Sequence, residues 1–313
     1  MNQLRLIVVA FLLLVAHALF AAPAPMADFM LRAEKDPSLV RIYAAVTTVT
    51  YKVVGGTALR LIVYLPADLT PGQKRPAVVN FHGGGWLRGG PSASNPLLIY
   101  LASRGVIGVD AQYRLLPGEE NGTGRGPQDC LADARSAMRW VRRNAAQFQI
   151  DPARISASGT SAGGLLAASL ATIDGYDDPA DDRAISVRPE AVLLLNPAID
   201  LVKGWGTGRK HAIAAGLDPV AISPASHVRT NLPPFIILSG TKDGVCPAEV
   251  CRAFVREMKA NGNHAVFAEF PGERHGFYHP KRANGANFNR VIRELDAFLA
   301  QIGLLPVDNG GRP

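Results

Sequence analysis

The chain has 313 residues, of which 48% are hydrophobic and 19% are charged, and its formal net charge is +7. This composition excludes a disordered, collagen-like or coiled-coil chain. The excess of positive charge is spread along the chain without a basic run, so nucleic acid is not expected as a partner.

The N-terminus has the pattern of a signal peptide over residues 1–21. Arg5 provides a positive start, residues 6–16 form an apolar run too short to span a bilayer, and Ala21 precedes a plausible cleavage point. We therefore expect a secreted or periplasmic protein with no stable membrane span once this segment is removed. An uncleaved anchor or a lipoprotein is the alternative, but no cysteine follows the apolar run to accept a lipid. Residues 22–45 are expected to form a lead-in.

Short apolar or alternating runs, bounded by turn residues, predict eight strands. They cover residues 46–54, 59–65, 77–81, 106–109, 155–158, 191–195, 235–238 and 265–270. Helical spacing of apolar residues appears between the later runs, at 131–141, 250–258 and 288–302. The pattern predicts an α/β fold with one mostly parallel eight-stranded sheet and helices on both of its faces.

This sheet and its helices are expected to form a single domain over residues 46–304. Residues 196–234 separate two predicted strands by far more than a turn, which indicates a cap-like insertion. Residues 305–313 are expected to be a disordered tail.

The strongest chemical signal is a serine in a glycine-rich turn. Ser161 lies in the sequence Gly-Thr-Ser-Ala-Gly-Gly over residues 159–164, directly after a predicted strand and before a predicted helix. A nucleophile at the top of a sheet needs such a sharp turn, and the turn requires small neighbours. Ser161 is therefore the candidate nucleophile.

A second glycine-rich motif, His82-Gly83-Gly84-Gly85-Trp86, follows the predicted strand at 77–81. Acyl transfer builds negative charge on a carbonyl oxygen, which backbone N–H groups stabilise where no side chain intervenes. We expect the amides of Gly83, Gly84 and Ala162 to form this oxyanion hole. His82 is expected to be structural, and Trp86 is the candidate substrate-pocket residue.

Together these two motifs resemble those of the α/β-hydrolase superfamily, over residues 46–304. Within it, the chain resembles esterases related to hormone-sensitive lipase and secreted bacterial acetyl- and feruloyl-esterase-like proteins. The run Asp-Ala-Gln-Tyr-Arg-Leu at 110–115 looks like the segment that follows the oxyanion loop in those esterases. The chain departs from their pattern after residue 115, where an insertion replaces the expected Pro-Glu.

The resemblance implies an acid and a histidine that follow the serine in the chain. Asp243 comes after the predicted strand at 235–238 and is the favoured acid, with Asp200 as the alternative. His275 comes after the predicted strand at 265–270 and is the candidate base, while His279 is expected at the surface. A neutral imidazole accepts the serine proton without help from a metal.

The expected function is that of a secreted serine carboxylesterase for short-chain acyl esters, with acetyl or feruloyl groups on polysaccharide implied by the resemblance. The partner is thus a small-molecule or polysaccharide-linked ester. No cofactor or metal is expected, since no Cys or His spacing resembles a zinc site. Alternatives are an amide-cleaving peptidase or formamidase-like hydrolase, or an inactive binding module. The chain has three cysteines, and the sequence does not decide whether Cys246 and Cys251 form a disulfide.

Overall fold

The computed structural model describes residues 31–32, 43–117 and 123–305. The predicted signal peptide, most of the lead-in and residues 306–313 lie outside these ranges. Leu305, which the sequence assigns to the tail, is buried and donates its amide to the carbonyl of Leu299 at 3.1 Å. The ordered core therefore extends one residue beyond the predicted domain end.

Eight strands form one sheet in the order β1-β2-β4-β3-β5-β6-β7-β8. β1 pairs antiparallel with β2, and β2 pairs antiparallel with β4, while every later pair is parallel. The predicted fold class is thus confirmed. The strands are β1 (Ala44–Val54), β2 (Thr57–Pro66), β3 (Arg75–Phe81), β4 (Ile107–Ala111), β5 (Ile150–Thr160), β6 (Val192–Leu195), β7 (Phe235–Gly240) and β8 (Ala265–Phe270).

The described residues also form α-helices on both sides of the sheet and in the insertion. These helices are α1 (Pro96–Ser103), α2 (Pro127–Arg143), α3 (Ser161–Thr172), α4 (Gly206–Ala214), α5 (Ala248–Ala260) and α6 (Ala286–Gln301). α1 and α6 contribute to the core on one face, while α2, α3 and α5 contribute to the core on the other. α4 belongs to the insertion.

The central strands are apolar on both sides because both of their faces are covered. In β3, Val78 packs with the α1 and α6 side, and Val79 packs with the α2, α3 and α5 side. Successive side chains point to opposite faces, so the unbroken apolar runs supply two cores at once. Parallel strands also bring the ends of β3, β5, β6, β7 and β8 to the same edge of the sheet.

The insertion at residues 196–234 contains α4 and a short 3₁₀-helix, Pro224–His227. It contacts the body of the domain through Trp205, whose ring centroid lies 4.7 Å from that of Trp86 at an interplanar angle of 69°. Within the described ranges, no helix combines the length and the apolar character that crossing a bilayer requires.

Candidate active site

The turn between β5 and α3 holds Ser161 in a left-handed backbone conformation, with φ of 52°. This conformation is strained for a residue that is not glycine, and such strain clusters at functional sites. The glycines around it are required by close packing. A Cβ atom at Gly159 would lie 2.2 Å from the carbonyl oxygen of Gly163, and one at Gly163 would lie 2.1 Å from that of Phe81.

Ser161, His275 and Asp243 meet at the carboxyl edge of the sheet. Nε2 of His275 lies 3.0 Å from Oγ of Ser161, and Nδ1 lies 2.7 Å from Oδ2 of Asp243. Because a carboxylate only accepts, Nδ1 carries the hydrogen and Nε2 is left to accept the serine proton. Oδ1 of Asp243 accepts the amides of Val245 and Cys246, both at 2.8 Å.

The side chain of Asp243 has no exposed surface, whereas that of His275 is 27% exposed. Asp243 lies in the turn after β7 and His275 in the turn after β8, so each is held at the end of a buried strand. The carboxylate is fixed by the backbone and the imidazole remains accessible to a substrate. This arrangement is suited to general acid–base catalysis on a serine nucleophile.

Asn196 is a site residue that the sequence reasoning missed. It follows β6, with a φ of 38°, and its Oδ1 accepts the amide of Gly276 at 3.4 Å. That contact turns Nδ2 toward the imidazole, 3.4 Å from Nε2 of His275. The sequence signal that could have identified Asn196 is an asparagine directly after a central strand, since asparagine tolerates the positive φ of a sharp turn at the site.

Asp200, the alternative acid, makes no contact with His275. Its Oδ1 accepts the amides of Val202 and Lys203, at 2.7 and 2.8 Å, and so stabilises a turn at the start of the insertion. His279 is exposed, and Nε2 of His227 contacts the carbonyl of Ala221 at 3.0 Å within the insertion. Within the described residues, Asp243 is therefore the acid at His275.

The glycine-rich loop after β3 lies against the serine turn. A Cβ at Gly83 would lie 3.3 Å from Cβ of Ser161, and one at Gly84, where φ is 118°, would lie 1.9 Å from the carbonyl oxygen of Arg88. Ala162 is the second residue of α3, and its amide is among those that a helix leaves without an internal partner. The loop thus brings Gly83 close to the nucleophile, and only glycine fits at Gly84.

His82 is held within this loop. Its Nδ1 lies 2.7 Å from the carbonyl oxygen of Gly83, and its ring stacks on Tyr113 at 4.2 Å between centroids. The hydroxyl of Tyr113 donates to the carbonyl of His82 at 2.8 Å. Burial lowers the pKa of His82 to about 4, so the ring is neutral near pH 7.

The structure contradicts the expectation that Trp86 lines a substrate pocket. Its side chain is fully buried and packs edge-on against Trp205, so it offers no surface to a substrate. Its backbone has φ of 66°, and its carbonyl accepts the amide of Leu116 at 2.9 Å. The ring of Trp86 thus packs between the glycine-rich loop and the insertion.

Cys246 is a second potential nucleophile beside the serine. A side-chain hydrogen bond links it to Ser161, and burial raises the pKa of its thiol well above 9.0, with the charge of Asp243 acting in the same direction. The thiolate is the reactive form of cysteine, so this residue stays a neutral neighbour of the serine. Cys130, Cys246 and Cys251 are all free and buried.

A sheet of this order, with a serine turn after its fifth strand and a histidine and an aspartate after later strands, defines an α/β hydrolase. A family model described as alpha/beta hydrolase fold matches residues 78–279. The chain therefore belongs to the alpha/beta hydrolase fold family, and the predicted superfamily is confirmed.

Among curated proteins, the chain is similar to two esterases of Mycobacterium tuberculosis. It is 30% identical to esterase LipQ over 77% of this chain, and 28% identical to esterase LipC over 74% of this chain. The alignments span 59% of LipQ and 60% of LipC, so the chain covers about three fifths of the length of each.

Among solved structures, the chain is similar to esterase 2 of the planctomycete Thermogutta terrifontis. The native form superposes with a TM-score of 0.77 at 36% identity, covering 87% of this chain and 96% of that one. The form bound to propionate superposes with a TM-score of 0.76 at 38% identity, covering 85% of this chain and 97% of the other. The likeness thus extends over nearly all of that esterase.

Proposed function

We propose that this chain is a serine carboxylic ester hydrolase that cleaves short-chain acyl esters through an acyl-enzyme intermediate. The observation that carries the proposal is the continuous relay from Asp243 through His275 to Ser161, with contacts of 2.7 and 3.0 Å. The similarity to esterases of two bacteria supports it.

In the first half of the reaction, Oγ of Ser161 attacks the ester carbonyl carbon while Nε2 of His275 takes the serine proton. The resulting oxyanion accepts hydrogen bonds from the amides of Gly83, Gly84 and Ala162, each typically worth about 10²- to 10³-fold in rate. His275 then gives its proton to the alcohol oxygen as the bond from carbon to that oxygen breaks.

In the second half, water attacks the acyl group on Ser161 and gives a proton to Nε2 of His275. The second tetrahedral species collapses, the bond to Oγ breaks, and the proton returns to the serine as the carboxylic acid leaves. Asp243 holds the imidazole in one orientation and stabilises its cation.

The proposed substrates are esters of small acids. Thermogutta terrifontis esterase 2 has been solved with propionate and with butyrate bound, which supports a short acyl group. Acetyl or feruloyl groups attached to polysaccharide are the proposed natural targets. Export through residues 1–21 would bring the enzyme to such material, and an N-terminus at Ala22 in protein recovered outside the cytoplasm would support this.

The test is hydrolysis of p-nitrophenyl acetate by the wild type and by Ser161→Ala. We expect the variant to lose nearly all activity and to escape labelling by a fluorophosphonate probe, while Ser226→Ala, an exposed serine in the insertion, keeps both. Unchanged turnover in Ser161→Ala would overturn the proposal. Thermogutta terrifontis esterase 2 has been solved phosphorylated by paraoxon, which supports the use of an organophosphorus probe.

A substrate panel separates the proposed ester hydrolase from its alternatives. Acetylated xylan, feruloyl esters and short p-nitrophenyl esters are compared with peptide and formanilide amides. Faster cleavage of the amides would favour a peptidase or formamidase. Failure of wild type to cleave any substrate or to react with the probe would favour a binding module.

A further inference from the structure

A cavity of about 440 Å³ adjoins the serine turn on the face of the sheet covered by α1 and α6. Gly83 of the oxyanion loop and Thr160, the residue before the nucleophile, form part of its wall. Its apolar walls are Leu97, Leu195, Pro280, Phe288 and Val291. The position of the cavity allows one part of a bound ester to enter it while the carbonyl carbon lies at Ser161.

The polar wall of this cavity includes Asn80, which is only 3% exposed. Its Nδ2 donates to Oδ1 of Asp110 at 2.8 Å. Because the carboxylate must accept, this contact fixes the orientation of the amide. Oδ1 of Asn80 is buried and has no hydrogen-bond partner among the described residues.

His82, on the same wall, has a second unused acceptor. Its Nδ1 faces the carbonyl oxygen of Gly83 at 2.7 Å, and since a carbonyl only accepts, Nδ1 carries the hydrogen of the neutral ring. Nε2 therefore has a lone pair, and it too is buried without a partner in the described part of the chain. Two residues that line the same cavity thus each have a buried neutral acceptor without a partner among the described residues.

Asp110 also lies on this wall, but its carboxylate is already engaged. It accepts from Nδ2 of Asn80 at 2.8 Å, and from the amide of Ser92 and Nδ2 of Asn95, both at 3.1 Å. A cation would have to displace these donors. The two buried acceptors without a partner among the described residues, Oδ1 of Asn80 and Nε2 of His82, call for neutral donors, and a hydroxyl group is such a donor that an ester substrate can carry.

We propose that this cavity binds a hydroxylated part of the ester substrate, with hydroxyl groups donating to Oδ1 of Asn80 and Nε2 of His82. This inference rests on the proposed esterase function and gives it a substrate class. A buried site built to hydrogen-bond a hydroxyl group discriminates strongly against an analogue that lacks it, because its polar groups are then left unpaired. We expect at least about a tenfold preference for the hydroxylated member of a matched pair of esters.

Two pairs of esters test this preference and identify which side of the ester enters the cavity. Glycerol monoacetate against propyl acetate varies the alcohol, and ethyl 3-hydroxybutyrate against ethyl butyrate varies the acyl group. The readout is the ratio of kcat/KM values within each pair, with each value divided by the rate of alkaline hydrolysis of that ester. A ratio of about ten or more in either pair supports the proposal.

Two variants link the preference to the cavity. Asn80→Leu removes the acceptor, and Leu97→Phe fills space without touching a polar group, so each should bring the ratio toward one. Asn261→Leu, at the end of α5 and away from the cavity, should leave the ratio unchanged. Should Asn80→Leu fail to fold, the wild-type ratio and Leu97→Phe decide.

The outcomes separate this inference from the proposed function. Hydrolysis of both members of each pair at equal corrected rates would overturn the hydroxyl site and leave the esterase proposal intact. A wild-type preference that Leu97→Phe retains in full would also overturn the site. Absence of hydrolysis of all four esters and of p-nitrophenyl acetate would overturn the proposed function.

Discussion

Oδ2 of Asp243 lies 2.7 Å from Nδ1 of His275, while its Oδ1 accepts two backbone amides at 2.8 Å. Every contact of this carboxylate is thus with a donor, and its side chain is closed to solvent. The turn after β7 holds the carboxylate in place, and the carboxylate in turn decides which nitrogen of the imidazole carries the hydrogen.

Asp243→Asn should abolish most of the activity while the protein stays folded. The amide can keep its oxygen on the two backbone donors, which turns its NH₂ group toward Nδ1 and places the imidazole hydrogen on Nε2. An imidazole in this form cannot accept the serine proton, and the same change in serine proteases lowers kcat by about 10⁴-fold. The measurement is kcat for p-nitrophenyl acetate, with the Tm as a check on folding. Asp200→Asn is the matched control, and a drop of less than tenfold in Asp243→Asn would contradict the assigned role.

Asn196→Gly should lower kcat about fivefold and leave KM nearly unchanged, since one hydrogen bond is worth about 1 kcal/mol. Glycine keeps the positive φ of this position, so the change removes only the contacts to Gly276 and His275. Asn196→Ala also strains the backbone and should in addition lower the Tm. Equal kcat values in the wild type and Asn196→Gly would show that the asparagine does not position the imidazole.

Gly84→Ala should reduce kcat/KM by about 100-fold or more, because the added methyl group cannot fit beside the carbonyl of Arg88 and the oxyanion loop must move. Gly206→Ala is the control, since a Cβ at that position meets nothing within 4 Å. Steady-state kinetics on p-nitrophenyl acetate give the result. Near wild-type activity in Gly84→Ala would mean that the amide of Gly84 takes no part in the reaction.

Asp110 gives a prediction for the pH dependence of stability. Burial raises its pKa from the ordinary 3.8 to about 6, although hydrogen bonds from Asn80, Ser92 and Asn95 act to lower it. The folded state therefore holds this proton more tightly than the unfolded state, and the associated stability is complete below pH 3.8 and is lost as the pH rises through about 6.

Asp110→Asn lacks this titration, so its free energy of unfolding relative to the wild type should rise by about 2 kcal/mol between pH 4.5 and pH 7. Urea denaturation of both proteins at several pH values measures the difference. The NH₂ group of the new asparagine would also face a hydrogen-bond donor, which lowers the free energy of unfolding by an amount that does not change with pH. Parallel pH profiles for the two proteins would contradict the shifted pKa.

The sequence was sufficient to predict the sheet, because continuous apolar runs bounded by turn residues are typical of strands covered on both faces. It also predicted that Ser161, Asp243 and His275 follow strand ends, and parallel strands bring such ends to one edge of a sheet. Proximity to a motif along the chain was a less reliable guide to which residues line the substrate pocket. Trp86 directly follows the oxyanion glycines, yet its ring turns inward against Trp205.

The polar wall of the cavity could not be predicted in the same way. Asn80 and Asp110 lie within apolar strands, and only the register of β3 on β4, which pairs Asn80 with Asp110, brings them together. Asn196 reaches His275 across 79 residues of sequence. Such pairings depend on strand order and register, which local patterns do not specify.

The backbone contact at Gly163 restricts how this protein could be altered toward new substrates. A methyl group at this position would lie 2.1 Å from one carbonyl oxygen and 2.3 Å from the next, at Phe81 and His82. The backbones of the serine turn and the oxyanion loop therefore pack directly against each other, so a displacement of either would misalign the other. Mutagenesis libraries should keep this backbone contact unchanged and diversify the cavity side chains on α1 and α6, which are Leu97, Phe288 and Val291.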